Sequence, residues 1–280
     1  MKRIAYAALV ALSAALMSGC GKDMNNPVAP VADESSTRNT EQFSVERARS
    51  EAGPLAGNTF GFGVSRILFV HASPDAPAVD INLGIQPVAR DLVFANNTPY
   101  RYTWSGPRRV LVNVANTSTN VINAMATLAP WTFYSVFATG TVADLKPLVL
   151  VDDLRSPARG KAHIRFVHLS PNAPAVDVAL AGGGAVVFGN KAFREYTAFT
   201  PLNAGTYDLE VRVAGTNTVA LPLPGVTLQA GKIYTVYAKG LLGGTGAQAL
   251  GAGVIVNSDV ARSWSRFSGS RTPIDMIRAD

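Results

Sequence analysis

The chain has 280 residues, 48% hydrophobic and only 16% charged, which excludes global disorder and allows a packed core. Its 25 basic and 19 acidic residues are scattered along the chain. No Lys/Arg block follows a phosphate backbone, so nucleic-acid binding has no support in the charge pattern.

Lys2 and Arg3 form a positive n-region, and an apolar run of 14 residues follows from Ile4 to Met17. As helix that run spans about 21 Å, too short for a membrane span and right for a signal-peptide core. It ends at Leu16-Met17-Ser18-Gly19-Cys20, which resembles the bacterial lipobox, with Met17 where Leu is usual. The resemblance implies lipidation of Cys20, the sole cysteine, at a cleaved signal peptide over 1–20. An ordinary secretory signal with an incidental cysteine is the bland alternative. Several acyl chains anchor stably, at about 0.8 kcal/mol per buried CH₂. Gly21 stands where, by resemblance to the enterobacterial sorting rule, inner-membrane retention wants Asp. The expectation is therefore an exported envelope protein at the outer membrane, with the face undetermined. Residues 21–63 are rich in Asn, Pro, Ser, Thr and charge, and read as a tether of roughly 35–40 Å span.

Beyond the tether, Val, Thr, Gly and Pro dominate and helix formers are scarce, so short strands joined by turns are expected. Copy one offers strands near 65–72, 78–84, 88–95, 108–115, 120–128, 132–140 and 147–152, and Gly182-Gly183-Gly184 reads as a hairpin tip in copy two. The chain then repeats itself. The segment Ile67–Asp80 returns as Ile164–Asp177, Val112–Ala115 as Val211–Ala214, and Tyr134–Ala138 as Tyr234–Ala238. Three blocks in one order predict a duplicated domain, with repeats over 64–154 and 161–257, a Pro/Gly/basic linker between them and a tail over 258–280. Seven short strands per copy point to an all-β fold of two tandem sandwiches.

Comparing the copies assigns faces. Leu68 exchanges with Arg165, so that face of the first strand is expected to see solvent. Ile67, Phe69 and His71, with Ile164, Phe166 and His168, then point inward. Val79, Ile81 and Leu83, with Val176, Val178 and Leu180, form the inward set of the second strand, and Asp80 and Asp177 point away.

His71, Ser73, Asp75 and Asp80 invite a catalytic or metal reading, but copy two replaces Asp75 by Asn172. The chain has only 3 histidines, and a metal site wants three or four ligands. The favoured reading is structural, with no catalytic residue, metal or cofactor. Pro74 and Pro77, with Pro171 and Pro174, stiffen a crossover whose Asp75 or Asn172 caps a turn. His71 and His168 satisfy buried backbone, Ser73 and Ser170 belong to the same motif, and Asp80 accepts bonds from loop amides.

The pattern His-x-Ser-Pro-x-Ala-Pro-Ala-Val-Asp, present twice, with Ala204-Gly205-Thr206-Tyr207, resembles the domain-of-unknown-function 4397 family of exported bacterial proteins. Copy one departs at the last element, with Ser105-Gly106-Pro107-Arg108. The resemblance implies an immunoglobulin- or transthyretin-like β-sandwich and supplies no catalytic residues.

Tyr100, Tyr102 and Trp104 share a face if extended, with Arg101 opposite and Arg108 and Arg109 beyond a turn, and exposed rings beside arginines would suit a sugar ring or anionic headgroup. Copy two has no such cluster, and packing at the sandwich edge is the favoured account of the rings. The run from Gly240 to Gly246 lacks the Gly-Lys-Ser/Thr ending of a phosphate loop and reads as a hairpin loop. Function is expected to be non-enzymatic: two lipid-anchored modules displayed for adhesion, ligand binding or structural presentation, with an envelope polysaccharide or protein as ligand. The alternatives are a carbohydrate- or polyanion-binding module on the aromatic-basic segment, and a metal-dependent or hydrolytic enzyme.

Overall fold

The computed structural model describes residues 63–258, all within one compact unit. The signal peptide, Cys20, the tether up to residue 62 and the tail from 259 lie outside the described residues. Among the described residues, sixteen strands form four four-stranded sheets. Repeat one supplies β1 (Val64–Ala72), β2 (Val79–Leu83), β3 (Gln86–Leu92), β4 (Arg101–Trp104), β5 (Gly106–Val114), β6 (Asn120–Leu128), β7 (Phe133–Thr139) and β8 (Lys146–Asp152). Repeat two follows the same plan with β9 (Lys161–His168), β10 (Val176–Leu180), β11 (Val186–Lys191), β12 (Thr200–Asn203), β13 (Gly205–Val213), β14 (Val219–Leu228), β15 (Ile233–Lys239) and β16 (Gly251–Val256).

Each repeat pairs an outer sheet, β3-β2-β5-β6 or β11-β10-β13-β14, with an inner one, β4-β1-β7-β8 or β12-β9-β15-β16. The outer sheets are antiparallel throughout, whereas β1 runs parallel to β7 and β9 parallel to β15. The chain changes sheet within one residue between β4 and β5. Gly106 makes that corner with φ +90, in the half of backbone space that side chains disfavour. Eight strands per repeat replace the expected seven. The four-residue β4 was missed because its aromatic and charged residues show no apolar alternation.

Period-two alternation distributes the side chains over three cores rather than two. Ile67 and Phe69 of β1 join Val79, Ile81, Val110 and Val136 inside repeat one. Ile164 and Phe166 of β9 join Val176, Val178 and Val211 inside repeat two. The opposite faces of the same strands, Leu68, Val70 and Ala72 with Val167 and Leu169, meet in a third core between the inner sheets. The face expected to see solvent is therefore buried: Leu68 and Arg165 are each 2% exposed. Reading a charged residue as a solvent marker failed because its charge is neutralised across the seam. Leu180, expected inward, is 36% exposed, at the strand end beside the glycine tip.

Arg165 is the one charge that β9 carries into that seam. Its Nη2 lies 2.6 Å from Asp152 Oδ1 as an ion pair, with both side chains nearly inaccessible, though without the alignment of a hydrogen bond. A closed circuit of neutral groups completes the site. Tyr100 donates to Asp152 Oδ2 at 2.5 Å and Ser135 donates to the same oxygen at 2.7 Å. Arg165 Nε donates to Thr235 at 2.9 Å, Thr235 to Asn257 at 2.8 Å, and Asn257 Nδ2 back to Tyr100 at 2.8 Å. Burial, and then the facing Asp152 charge, push the Tyr100 phenol well above its ordinary value, so it stays a donor.

Reciprocal loop contacts flank this seam. Tyr237 of β15 donates to Ala95 O at 3.3 Å, while Arg194 grips the end of β7 through Thr139 Oγ1 at 2.9 Å and Asp144 Oδ2 at 3.0 Å. Ala95 and Arg194 occupy matching loop positions with φ +66 and +68. The repeats thus meet as the halves of a two-fold dimer do, each offering the same patch. Arg165→Ala should lower stability by about 3–5 kcal/mol, since it strands a buried carboxylate. Urea unfolding followed by tryptophan fluorescence reads this. The pair Asp152→Asn and Arg165→Leu, which removes both charges, should recover most of the loss.

Candidate functional site

The signature motif folds identically in both copies. His71 and His168 end their strands 1% and 0% exposed. Each sets Nε2 3.0 Å from a carbonyl six residues on, that of Pro77 or Pro174. A carbonyl only accepts, so Nε2 carries a proton. Burial is the main cause that holds both imidazoles below their ordinary pKa.

Asp80 and Asp177 sit where the ladder between the second and third strands shifts register. Asp80 accepts from the amides of Asp91 at 3.0 Å and Asn116 at 3.3 Å. Asp177 accepts from Asn190 at 2.6 Å and Gly215 at 2.9 Å. All four amide donors lie in left-handed backbone, with φ between +49 and +72. Each carboxylate therefore holds one bulge and one hairpin turn, whose orphaned amides it satisfies. The Asp91 amide, foremost, keeps the Asp80 carboxyl below the usual range.

Asp75 and Asn172 do something other than cap their own turn. Asp75 Oδ1 accepts from the Val142 amide at 3.0 Å, and from Ser73 at 3.4 Å. Asn172 both accepts from Leu242 N at 2.8 Å and donates to Leu242 O at 2.9 Å. Both pin the crossover to the loop that follows β7 or β15. Asp and Asn share the accepting oxygen this requires, so the exchange between copies preserves the contact. Ser170 donates to Gly240 O at 2.7 Å in the same loop. Pro74, Pro77, Pro171 and Pro174 lie in the crossovers between the first and second strands of their repeats.

A cavity of about 320 Å³ opens beside His168, walled by Val176, Val211, Val219, Leu221 and Leu242. Leu242 and Leu250 of the lining belong to the β15–β16 connection, residues 240–250, which is longer than its counterpart at 140–145. Its lining is almost wholly apolar, and the one imidazole there is committed to Pro174. Among the described residues, no group of three His, Cys, Asp or Glu is arranged to hold a metal ion.

The aromatic-basic segment is divided by the fold. Tyr100, 9% exposed, leaves the expected surface for the inter-repeat circuit, because the residues before β4 cross the seam. Tyr102 and Trp104 stay on the outside, 54% and 64% exposed, on β4 at the free edge of its sheet. Tyr102 pairs across the ladder with Arg66 of β1. The Arg66 guanidinium lies 4.2 Å from the Tyr102 ring centre and donates to its hydroxyl. Arg108 turns back on the strand end, donating to Trp104 O at 2.9 Å and Ser105 O at 3.0 Å. Arg109 is bound to Asn123 of β6, at 2.9 Å, in the other sheet. Arg108 thus shapes the edge, and Arg109 stands apart from it. Sequence reasoning missed Arg66, whose signal is its place opposite an aromatic strand.

Residues 65–179 match the family model described as domain of unknown function (DUF4397). The chain carries a DUF4397 domain. The match begins in β1 and ends in β10, taking in the signature motif of both repeats. No curated protein matches the chain. Among solved structures, a family CBM26 module from Eubacterium rectale Amy13K, in complex with maltoheptaose, is 9% identical. The likeness covers 69% of this chain and 96% of that one, at a TM-score of 0.22. A protein named for cell adhesion from Parabacteroides distasonis is 8% identical, over 71% of this chain and 99% of that one, at 0.20. Likenesses this slight carry no argument about fold or ligand.

The histidines make a pH prediction. Their folded pKa values lie below 6.5, so above that pH both states are neutral and the stability is fully present. As pH falls below about 6.5, the unfolded chain takes up protons first and stability is lost. Urea midpoints between pH 8 and pH 5 should fall accordingly. The fall should flatten in a His71→Gln, His168→Gln variant, whose amides can still donate to the Pro77 and Pro174 carbonyls.

Proposed function

We propose that this protein is a non-enzymatic, lipid-anchored envelope protein whose paired sandwiches present a glycan-binding edge on repeat one. The observation that carries the reading is Tyr102 and Trp104, two large rings exposed side by side on a free edge strand. Sugar rings present C–H faces that pack on aromatic faces, and their hydroxyls bond to neighbouring donors. The stacked Arg66 holds the Tyr102 ring in place before any ligand arrives, which reduces the ordering cost of binding.

The signature histidines speak against the enzyme alternative. Both are buried, and both are hydrogen-bonded to their own crossover. A general base must reach the proton it removes. The anchor rests on the lipobox-like ending at Cys20, and the tether of 21–63 would set the sandwiches off the membrane. The outer membrane is the proposed location, on the strength of Gly21.

Affinity electrophoresis of the full chain through gels containing glycol chitin, hydroxyethyl cellulose, soluble starch or alginate tests the binding reading. At least one polysaccharide should retard the protein, and Trp104→Ala should weaken that retardation about tenfold. No retardation by any of them, or retardation indifferent to Trp104→Ala, overturns the reading. For the anchor, the expressed protein should enter the detergent phase on phase partition and Cys20→Ala should return it to the aqueous phase. A wild-type protein already in the aqueous phase would sink the anchoring claim.

A further inference from the structure

The cavity beside His168 lies between the two sheets of repeat two, with β10, β13 and β14 on one side and β15 on the other. It sits at the end where the crossover after His168 meets the β15–β16 connection. Val176, Val211 and Ala238, each no more than 3% exposed, form its depth. Val219 and Leu242, 45% and 46% exposed, stand where it meets solvent. The space is both walled and reachable.

Repeat one builds the same region from matching strands and packs it differently. Ile122, the ladder counterpart of Leu221, is 7% exposed in the repeat-one core, and Leu145, the residue before β8, packs on that core. Leu221 is half-buried, and Leu250, the residue before β16, lines the open space instead. The cavity described in repeat one measures about 20 Å³, against about 320 Å³ in repeat two. The strand plan by itself does not demand the larger space.

The lining decides what can fill it. No Asp, Glu, Lys or Arg is among the lining residues, and the one imidazole sets its Nε2 3.0 Å from Pro174 O. A trapped water needs two to four polar partners, so water is a poor occupant of such a space, whereas apolar cavities take up apolar guests. An apolar cavity of about 150 Å³ holds a benzene ring, so this one has room for about twelve carbon atoms. That volume and chemistry fit the size range of small-molecule sites, which are mostly apolar.

We propose that this cavity binds the alkyl chain of a single-tailed amphiphile, with the chain between the sheets and the head group outside, past Val219 and Leu242. The site is separate from the aromatic edge of repeat one and does not depend on glycan binding there. Calorimetric titration of the full-length Cys20→Ala chain, which needs no detergent, with 1-hexanol, 1-octanol and 1-decanol tests it. 1-Decanol should saturate at one molecule per chain, with affinity rising about fourfold per added carbon across the series. Nuclear Overhauser effects from bound 1-decanol should reach the methyl groups of Val211, Leu221 and Leu250. Val219→Phe, which obstructs the mouth, and Ala238→Leu, which fills the depth, should each weaken binding at least tenfold without lowering the melting temperature. Binding that fails to saturate at one per chain, or Overhauser effects confined to other surfaces, overturns the proposal whatever the variants do. Affinity unchanged in both variants overturns it as well.

Discussion

Arg165 lies in an apolar seam between two sheets, where a lone guanidinium would cost several kcal/mol to bury. Asp152, from the other repeat, makes that burial tolerable, and the hydroxyls of Tyr100, Ser135 and Thr235 with the amide of Asn257 occupy most of the remaining bonding capacity. The pairing lies within the seam that sets the arrangement of the repeats. It puts the second faces of β1, β7, β9 and β15 out of water, so that the two sandwiches share a core. It also withdraws Tyr100 from the surface while leaving β4 at a free edge, where Tyr102 and Trp104 remain outside.

The duplicated copies separate structural from functional constraint without any alignment. Where they agree, the residues serve the fold. The histidines close the crossover, and the aspartates hold a bulge and a turn through left-handed amides. Asp75 and Asn172 make the same accepting contact with and without charge. Two of the differences between them stand out. One is the seam, where Leu68 faces the role of Arg165 and Asp152 that of Asn257, so that unlike partners meet. The other is the edge of repeat one, where Tyr102 and Trp104 stand in place of Pro201 and Asn203.

How legible this was depended on the range of each interaction. The repeat, the boundaries of most strands, the inward set Ile67, Phe69 and His71, and the Gly182 hairpin rest on local alternation and turn residues, which a chain displays directly. Strand β4 was hidden because four residues of mixed character carry no period. Leu68 and Arg165 misled for a deeper reason. Alternation tells which residues share a face but not what that face meets, and a charge reads as solvent until its counter-charge is found 13 residues back, on β8 of the other repeat.

Sequence alone determined that the described region is a tandem β repeat with rigid proline crossovers, because hydrophobic period, turn chemistry and self-similarity are all properties of neighbouring residues. Only the tertiary structure decided that the repeats stack back to back and which of five aromatic and basic candidates reach the surface together. Those outcomes turn on contacts between residues far apart in the chain, such as Tyr100 with Asn257 and Arg66 with Tyr102. No local pattern encodes such meetings.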